Sequence, residues 1–330
     1  MARPISIVIP AFNQLDYCRQ CVLSVQLNTR REHRLILVDN GSTDGVGEYF
    51  DAIPGAVVIH SETNRGFAGG VNLGLERADG HVVLLNSDTL VPEGWLERLE
   101  AALTRAEDIG MVGPMSNCVS GIQQIDNLQF SSLDEISAYA NQLAHDNVGK
   151  LRDTDRLVGF CLVIREEARQ KVGRFDERFG IGNFEDDDYC LRARRAGFRL
   201  CVAGDCFVFH YGSRTFAGMG MVGESWKSLM DENEQQFRAK WTGQNAKEAR
   251  DLDAAARQAL ERGELPEALR LLAKAIELAP ADAVIHNDLG VTLWRLGERE
   301  RALSSFARAV RLQSDYTEAQ ENLREAREAL

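Results

Sequence analysis

Residues 35–45 read LILVDNGSTDG: four aliphatic residues, then an acid and an amide, then small polar turn formers. The apolar run does not alternate with polar residues, so it reads as a short strand buried on both faces, as in parallel sheets. Asp39-Asn40-Gly41 ends it abruptly, because these residue types turn a chain readily. Outward from this stretch, Ile5-Ser-Ile-Val-Ile9, Val57-Val-Ile59 and Val82-Val-Leu-Leu85 have the same character. Amphipathic segments of about a dozen residues lie between them, Gln14 to Gln26 being one. This alternation predicts an α/β domain on a mostly parallel sheet.

In open parallel sheets, ligands bind beyond the carboxyl ends of the strands. Three polar clusters fall at such ends: Pro10-Ala-Phe12-Asn13, Asp39-Asn40-Gly-Ser-Thr-Asp44, and Asn86-Ser87-Asp88. Any one is an ordinary turn; three at one edge mark a site. No G-x-x-x-x-G-K-[ST] is present, which excludes a P-loop, and no G-x-G-x-x-G follows the first strand, against a dinucleotide fold. Gly66, Gly69, Gly70 and Gly74 follow Asn64-Arg65 and open a helix. They suit either close backbone approach to a phosphate, with Arg65 beside it, or tight packing of helix on sheet.

Glu185-Asp186-Asp187-Asp188 also has two readings. Acids in a first helical turn complement the macrodipole. Four in a row also repel one another and raise a carboxyl pKa, which suits a general base. His210 follows the apolar run Cys206–Phe209 and is either structural or a ligand. Four glycines between Gly212 and Gly223 suggest a loop able to act as a lid.

From about Ala246 the chain becomes rich in Ala, Leu, Glu and Arg, with few strand formers. A 34-residue repeat pairs Gly263 with Gly297, Ala268-Leu269 with Ala302-Leu303, Leu272 with Phe306, and Ala275 with Ala309. With Leu289-Gly290 in the second copy, this resembles the tetratricopeptide repeat. A third copy starts near Thr317 and stops after one helix, as a cap would. The expected division is 1–245 for the α/β domain and 246–330 for an all-α repeat domain.

Composition limits the partners. A formal net charge of -12 argues against nucleic acid and anionic lipid. No apolar run approaches the roughly 20 residues that span a bilayer, and Met1-Ala-Arg-Pro4 has no signal-peptide core. Seven cysteines without a disulfide-like spacing suggest a reducing, cytoplasmic setting. Cys18 and Cys21 form a C-x-x-C with no second pair to complete a zinc site, so we read them as buried helix residues.

The stretches SIVIPAFNQ, LILVDNGSTDG, NRGFAGGVNLGL, LLNSDTLVPEGWL, VGRFDERFGIGNFEDDDYCLRAR and FHYGSRTF run in order from about Ile5 to Trp241. Together they resemble glycosyltransferase family 2, inverting nucleotide-sugar-dependent enzymes of the GT-A fold. The N-S-D form is similar to its rhamnosyltransferase-like branch. The resemblance implies a donor of UDP or dTDP type and a glycan or protein acceptor, with a protein partner or second copy on the repeats. It places Pro10, Phe12 and Asn13 along the nucleotide pocket, with Asp39 at base and ribose, Asn40 beside it among the donor-binding residues, and Arg65-Gly66 against the donor. It puts Asn86-Ser87-Asp88 at the family's D-x-D position, Asp88 and His210 on a divalent cation (Mg²⁺ or Mn²⁺), and Asp186 as catalytic base. Asn86 departs from the pattern, leaving one carboxylate there. A hard cation manages with few protein ligands when phosphates supply the rest. Competing readings are a nucleotidyltransferase and an inactive donor-binding scaffold.

Overall fold

The computed structural model describes residues 4–212 and 214–329. The chain runs β1 (Ile5–Ala11), α1 (Leu15–Asn28), β2 (Arg34–Asp39), α2 (Val46–Asp51), β3 (Val57–His60), α3 (Gly66–Leu75) and β4 (His81–Leu85). Next come β5 (Thr89–Leu90), α4 (Trp95–Thr104), β6 (Ile109–Met115), α5 (Leu133–Asp146), β7 (Leu151–Thr154) and β8 (Cys161–Ile164). Then follow α6 (Glu166–Val172), α7 (Glu185–Arg195), β9 (Arg199–Phe207), β10 (Phe209–His210), α8 (Arg214–Gly218) and α9 (Glu224–Glu261). Four helices complete it: α10 (Leu265–Leu278), α11 (Ala283–Arg295), α12 (Arg299–Leu312) and α13 (Thr317–Glu328).

Eight strands form one sheet in the order β3-β2-β1-β4-β8-β6-β9-β7. The β3/β2, β2/β1, β1/β4 and β6/β9 pairs are parallel. β8 runs antiparallel to β4 and β6, and β7 to β9. Alternate strand residues feed two cores. Ile5, Ile7, Ile9, Leu35 and Leu37 pack with α1, α2 and α4. Val8, Ile36 and Val38 pack with α3, α5 and α7 on the other face. The strands β1 and β4 are fully buried, and β2 is buried from Leu35 onward, as their unbroken apolar runs require. Val57-Val-Ile59 corrects that expectation: β3 is the edge strand, and its side chains are only partly covered.

Cys18 and Cys21 lie in α1 with no exposed surface, and burial pushes the Cys21 thiol up to about 12, so packing is their role. All seven cysteines are unpaired, and only Cys118 is exposed. The expected glycine loop after Gly212 instead contains the short helix α8, with Ser213 outside the described residues.

The chain divides into two compact units, Met1–Glu234 and Gln235–Leu330. That division and the expected 245/246 boundary both fall inside α9. In the second unit α10 and α12 start at Leu265 and Arg299, and α11 and α13 at Ala283 and Thr317, each pair one 34-residue repeat apart. Gly263 and Gly297 adopt φ of 77° and 82°, the left-handed turn that only glycine takes without strain. Ala268, Ala275, Ala302 and Ala309 are fully buried, so small side chains set how closely the helices approach. Among the described residues no helix is long and apolar enough to cross a membrane.

Candidate active site

A cavity of about 640 Å³ opens at the carboxyl ends of β1, β2 and β4. The strand order places β2 and β4 on opposite sides of β1, the switch point where open α/β sheets bind ligands. Pro10 lines the cavity from the end of β1 and Phe12 from just beyond it, Asn40 follows β2, and Asn86, Ser87 and Asp88 follow β4. Glu185, Asp186 and Asp187 face it from the first turn of α7, and His210 from β10. A second cavity of about 760 Å³ lies at the opposite strand ends, lined by His81, Glu97, Glu100 and Arg165, and none of the three polar clusters reaches it.

Asp88 and His210 form a buried pair, with Nε2 at 3.2 Å from Oδ1. His210 Nδ1 lies 2.7 Å from the Cys118 carbonyl. A carbonyl only accepts, so Nδ1 carries the proton and Nε2 is turned toward Asp88. The Phe160 ring stacks on the imidazole at 5.3 Å and holds its plane. Burial alone would raise the Asp88 carboxyl. The His210 hydrogen bond and charge, with the Arg214 N–H, outweigh it and hold Asp88 below the ordinary carboxylate range.

The acidic helix separates its carboxyls by environment. Asp188 is fully buried and bonded to Arg192 Nε at 2.8 Å, one helical turn on. Asp187 pairs with Arg156. Asp186 accepts the Gly159 N–H at 2.8 Å through Oδ2 and the Asp187 N–H at 2.9 Å through Oδ1. Burial, then repulsion from Asp187, pushes Asp186 up to about 6, against the pull of Arg156. Burial and Asp186 hold Glu185 well above the carboxylate range. Asn183 and Phe184, with φ of 78° and 73°, make the left-handed turn into this helix. Asn233 fastens the preceding loop, its Nδ2 donating to the Phe179 and Gly182 carbonyls at 2.8 and 2.9 Å.

Several buried polar atoms of the cavity wall have no hydrogen-bond partner: Asn86 Oδ1, Asn183 Nδ2 and Glu185 Oε2. Buried polar atoms are seldom left unmet, so this wall is built to meet a polar ligand. Among the described residues no three His, Cys, Asp or Glu side chains converge as a closed metal cage. One carboxylate, one imidazole and an unmet amide oxygen fit an open site on which phosphates complete the shell of a hard cation.

The profile of glycosyl transferase family 2 matches residues 6–172, half of the chain, and that of the TPR repeat matches 257–297. The chain belongs to glycosyl transferase family 2. An uncharacterised Mycobacterium tuberculosis protein is 29% identical over 218 residues, covering 63% of this chain and 74% of that one. The N-acetylglucosaminyl-diphospho-decaprenol L-rhamnosyltransferase of M. tuberculosis is 24% identical over 243 residues, covering 64% of this chain and 77% of the relative. The crystal structure of GalNAc-T7 with UDP, GalNAc and Mn²⁺ shares the fold, with a TM-score of 0.51 and 17% identity. The alignment spans 63% of this chain and 44% of that one.

In this glycosyltransferase, Pro10, Phe12, Asn40, Gly66, Asn86, Ser87, Asp88, Asp186 and His210 line one cavity. Three other expected residues do not line it. Asn13 accepts the Thr43 N–H at 2.8 Å, stitching the loop after β1 to that after β2. Asp39 accepts from Ser42 N at 2.9 Å and lies 3.1 Å from His60 Nδ1, while His60 Nε2 meets Asp51 at 3.1 Å. Arg65 pairs with Glu177 at 3.1 Å. Of the four glycines opening α3, only Gly66 borders the cavity, at φ 72°, where an added Cβ would lie 1.9 Å from the Gly180 carbonyl. An added Cβ at Gly74 would meet Val8 at 2.2 Å, so that glycine serves helix–sheet packing. Sequence reading missed Arg156, Gly159, Phe160 and Asn233. Each acts on a partner tens of residues away, and no local pattern marks it.

Proposed function

We propose that this glycosyltransferase moves a sugar from a UDP- or dTDP-sugar to an acceptor hydroxyl in one displacement that inverts the anomeric carbon. One observation carries the reading: the Asp88–His210 pair and the pinned carboxylate of Asp186 open into the same cavity at the nucleotide edge of the sheet. Asp186 takes the acceptor proton as the new C–O bond forms and the bond to the diphosphate breaks. The Gly159 N–H holds that carboxylate in place, and each oxygen keeps a lone pair with which to take the acceptor proton. Asp88 and His210 would hold a divalent cation, which supplies charge neutralisation at the leaving diphosphate. Asn40 bonds Asn64 and the Gly66 carbonyl, both at 3.0 Å, and so fixes the wall where the nucleoside would rest.

Two comparisons support the donor class. One relative is named as an L-rhamnosyltransferase, and GalNAc-T7 was crystallised with UDP and Mn²⁺. We further propose that residues 1–245 carry donor binding, and that the repeats engage a protein partner or a second copy. The test is thermal shift with UDP and dTDP, each with and without Mn²⁺, since a ligand of the native state raises Tm. A metal-dependent rise with one nucleotide supports the reading, and no rise with either overturns it. Once a donor is found, released nucleoside diphosphate, rather than pyrophosphate, separates sugar transfer from nucleotidyl transfer.

A further inference from the structure

Arg156 is the only Arg or Lys among the described residues that line the cavity. It stands between β7 and β8, its backbone fixed by Thr154, whose Oγ1 donates to Arg156 O at 2.9 Å and accepts from Arg156 N at 3.2 Å. Nε donates to Asp187 Oδ1 at 2.5 Å, and Nη1 donates to Ser120 Oγ at 2.7 Å. Ser120 belongs to the segment after β6, so one guanidinium joins three separate stretches of chain at the mouth of the site.

The charges around Asp186 show what this tie does. From its own helix Asp186 meets Glu185, Asp187 and Cys190. From the β7–β8 segment it meets Arg156 and the Gly159 N–H, and the Phe67 ring of α3 borders the same spot without charge. Four carboxyls thus crowd one helical turn: Arg192 takes Asp188, and Arg156 is the cation that opposes Asp186 and Asp187.

We propose that Arg156 is a positioning residue for transfer: it holds Asp187 in an ion pair and ties the acidic helix to the Ser120 segment, so that Asp186 meets the acceptor as a free carboxylate. The proposal rests on the reading of Asp186 as base, and it gives the β7–β8 segment a part in the reaction. An opposite charge within about 4–6 Å lowers a carboxyl pKa by about 1–3 units, and the Arg156 charge pulls Asp186 in that direction. Removing it makes Asp186 hold its proton to higher pH.

The experiment reads the carboxyl directly. Full-length protein carrying ¹³Cγ-labelled aspartate is titrated by NMR, with Asp186→Asn assigning the signal. Arg156→Gln should move the Asp186 midpoint up by about one pH unit or more. Arg156→Lys, which keeps the charge, should restore most of the position. Asp187→Asn, which removes the repelling neighbour, should move it down. With a donor from the thermal-shift test, the acid limb of kcat/KM should move in step, about tenfold in rate below the limb for each unit. An unmoved midpoint in both Arg156→Gln and Asp187→Asn overturns the proposal, as does a uniform loss of rate with the limb in place. The titration needs no substrate, so it fails separately from the functional reading, which fails if Asp186→Asn transfers sugar normally. Should Arg156→Gln not fold, the Lys and Asp187→Asn variants carry the same decision.

Discussion

The sheet unit and the repeat unit bury their surfaces in opposite ways. In the first, Ile, Val, Leu, Phe and Trp fill two large cores on either face of one sheet. In the second, the cluster around α10 is mostly alanine, with Ala249, Ala256, Ala259, Ala268 and Ala275 joined by Leu272 and Ile285. The range of contacts differs as well. The site depends on bonds such as Arg214 N to Asp88 and Asn117 to the His210 carbonyl, 126 and 93 residues apart in sequence. Each repeat helix relies on its sequence neighbours, as in any stacked array. A site assembled from distant segments is lost as a whole when its scaffold opens, whereas an array gives way locally.

The sharpest way to set the units apart is a change that stops chemistry and leaves the fold alone. Asp186→Asn should cut transfer by about 10²–10⁴ while nucleotide affinity stays near that of the parent. Steady-state rates with thermal-shift binding check this, and wild-type turnover would remove Asp186 from the mechanism. No substitution confined to α10–α13 should have that signature.

A matched pair of packing changes comes next. Phe306→Ala removes a buried ring from the repeat core and should cost about 3–5 kcal/mol. Calorimetry should show an earlier transition for the repeat unit, with the nucleotide-stabilised transition unmoved. Gly66→Ala forces a side chain against the Gly180 carbonyl at a left-handed residue, a strain of roughly 1–3 kcal/mol, and should weaken nucleotide binding along with stability. If Phe306→Ala also abolishes nucleotide binding, the contrast between the units fails.

The smallest expected effect is a difference in pH response. In the repeat unit, burial and then Asp253 push the Asp288 carboxyl up to about 7, against Arg257. The folded state therefore binds a proton that the unfolded chain, near the ordinary aspartate value, has already released. That contribution is present at low pH and declines as pH rises toward 7. The repeat transition should melt higher at about pH 6 than at about pH 8. Asp288→Asn should flatten that difference, and an unchanged slope would refute the assignment.

Much of this arrangement was readable in the chain. The apolar runs gave β1, β2 and β4 because buried parallel strands cannot alternate, and the 34-residue period gave α10–α13 because each helix pair repeats the same small contacts. The strands β7 and β9 carry polar residues such as Arg152, Asp153 and Asp205, and so left no such trace. At the site, motif positions such as Asp88 and Asp186 were visible because their neighbours in sequence share the work. Arg156 was not, since its meaning comes from Asp187, 31 residues away. Likewise, a run of sequence could not show that Asp39 is engaged by Ser42 and His60.

The place of β9 in the sheet has a consequence for synthesis. This strand sits between β6 and β7, both made before it, so the emerging chain holds an unfilled slot until Phe207 has left the ribosome. At about 5–20 residues per second, the wait from β6 to β9 lasts on the order of several seconds. Throughout that interval the edge of β6 is open to any other strand that finds it. His210 follows β9 by only a few positions, so the nascent chain gains its Asp88 partner only as the slot closes.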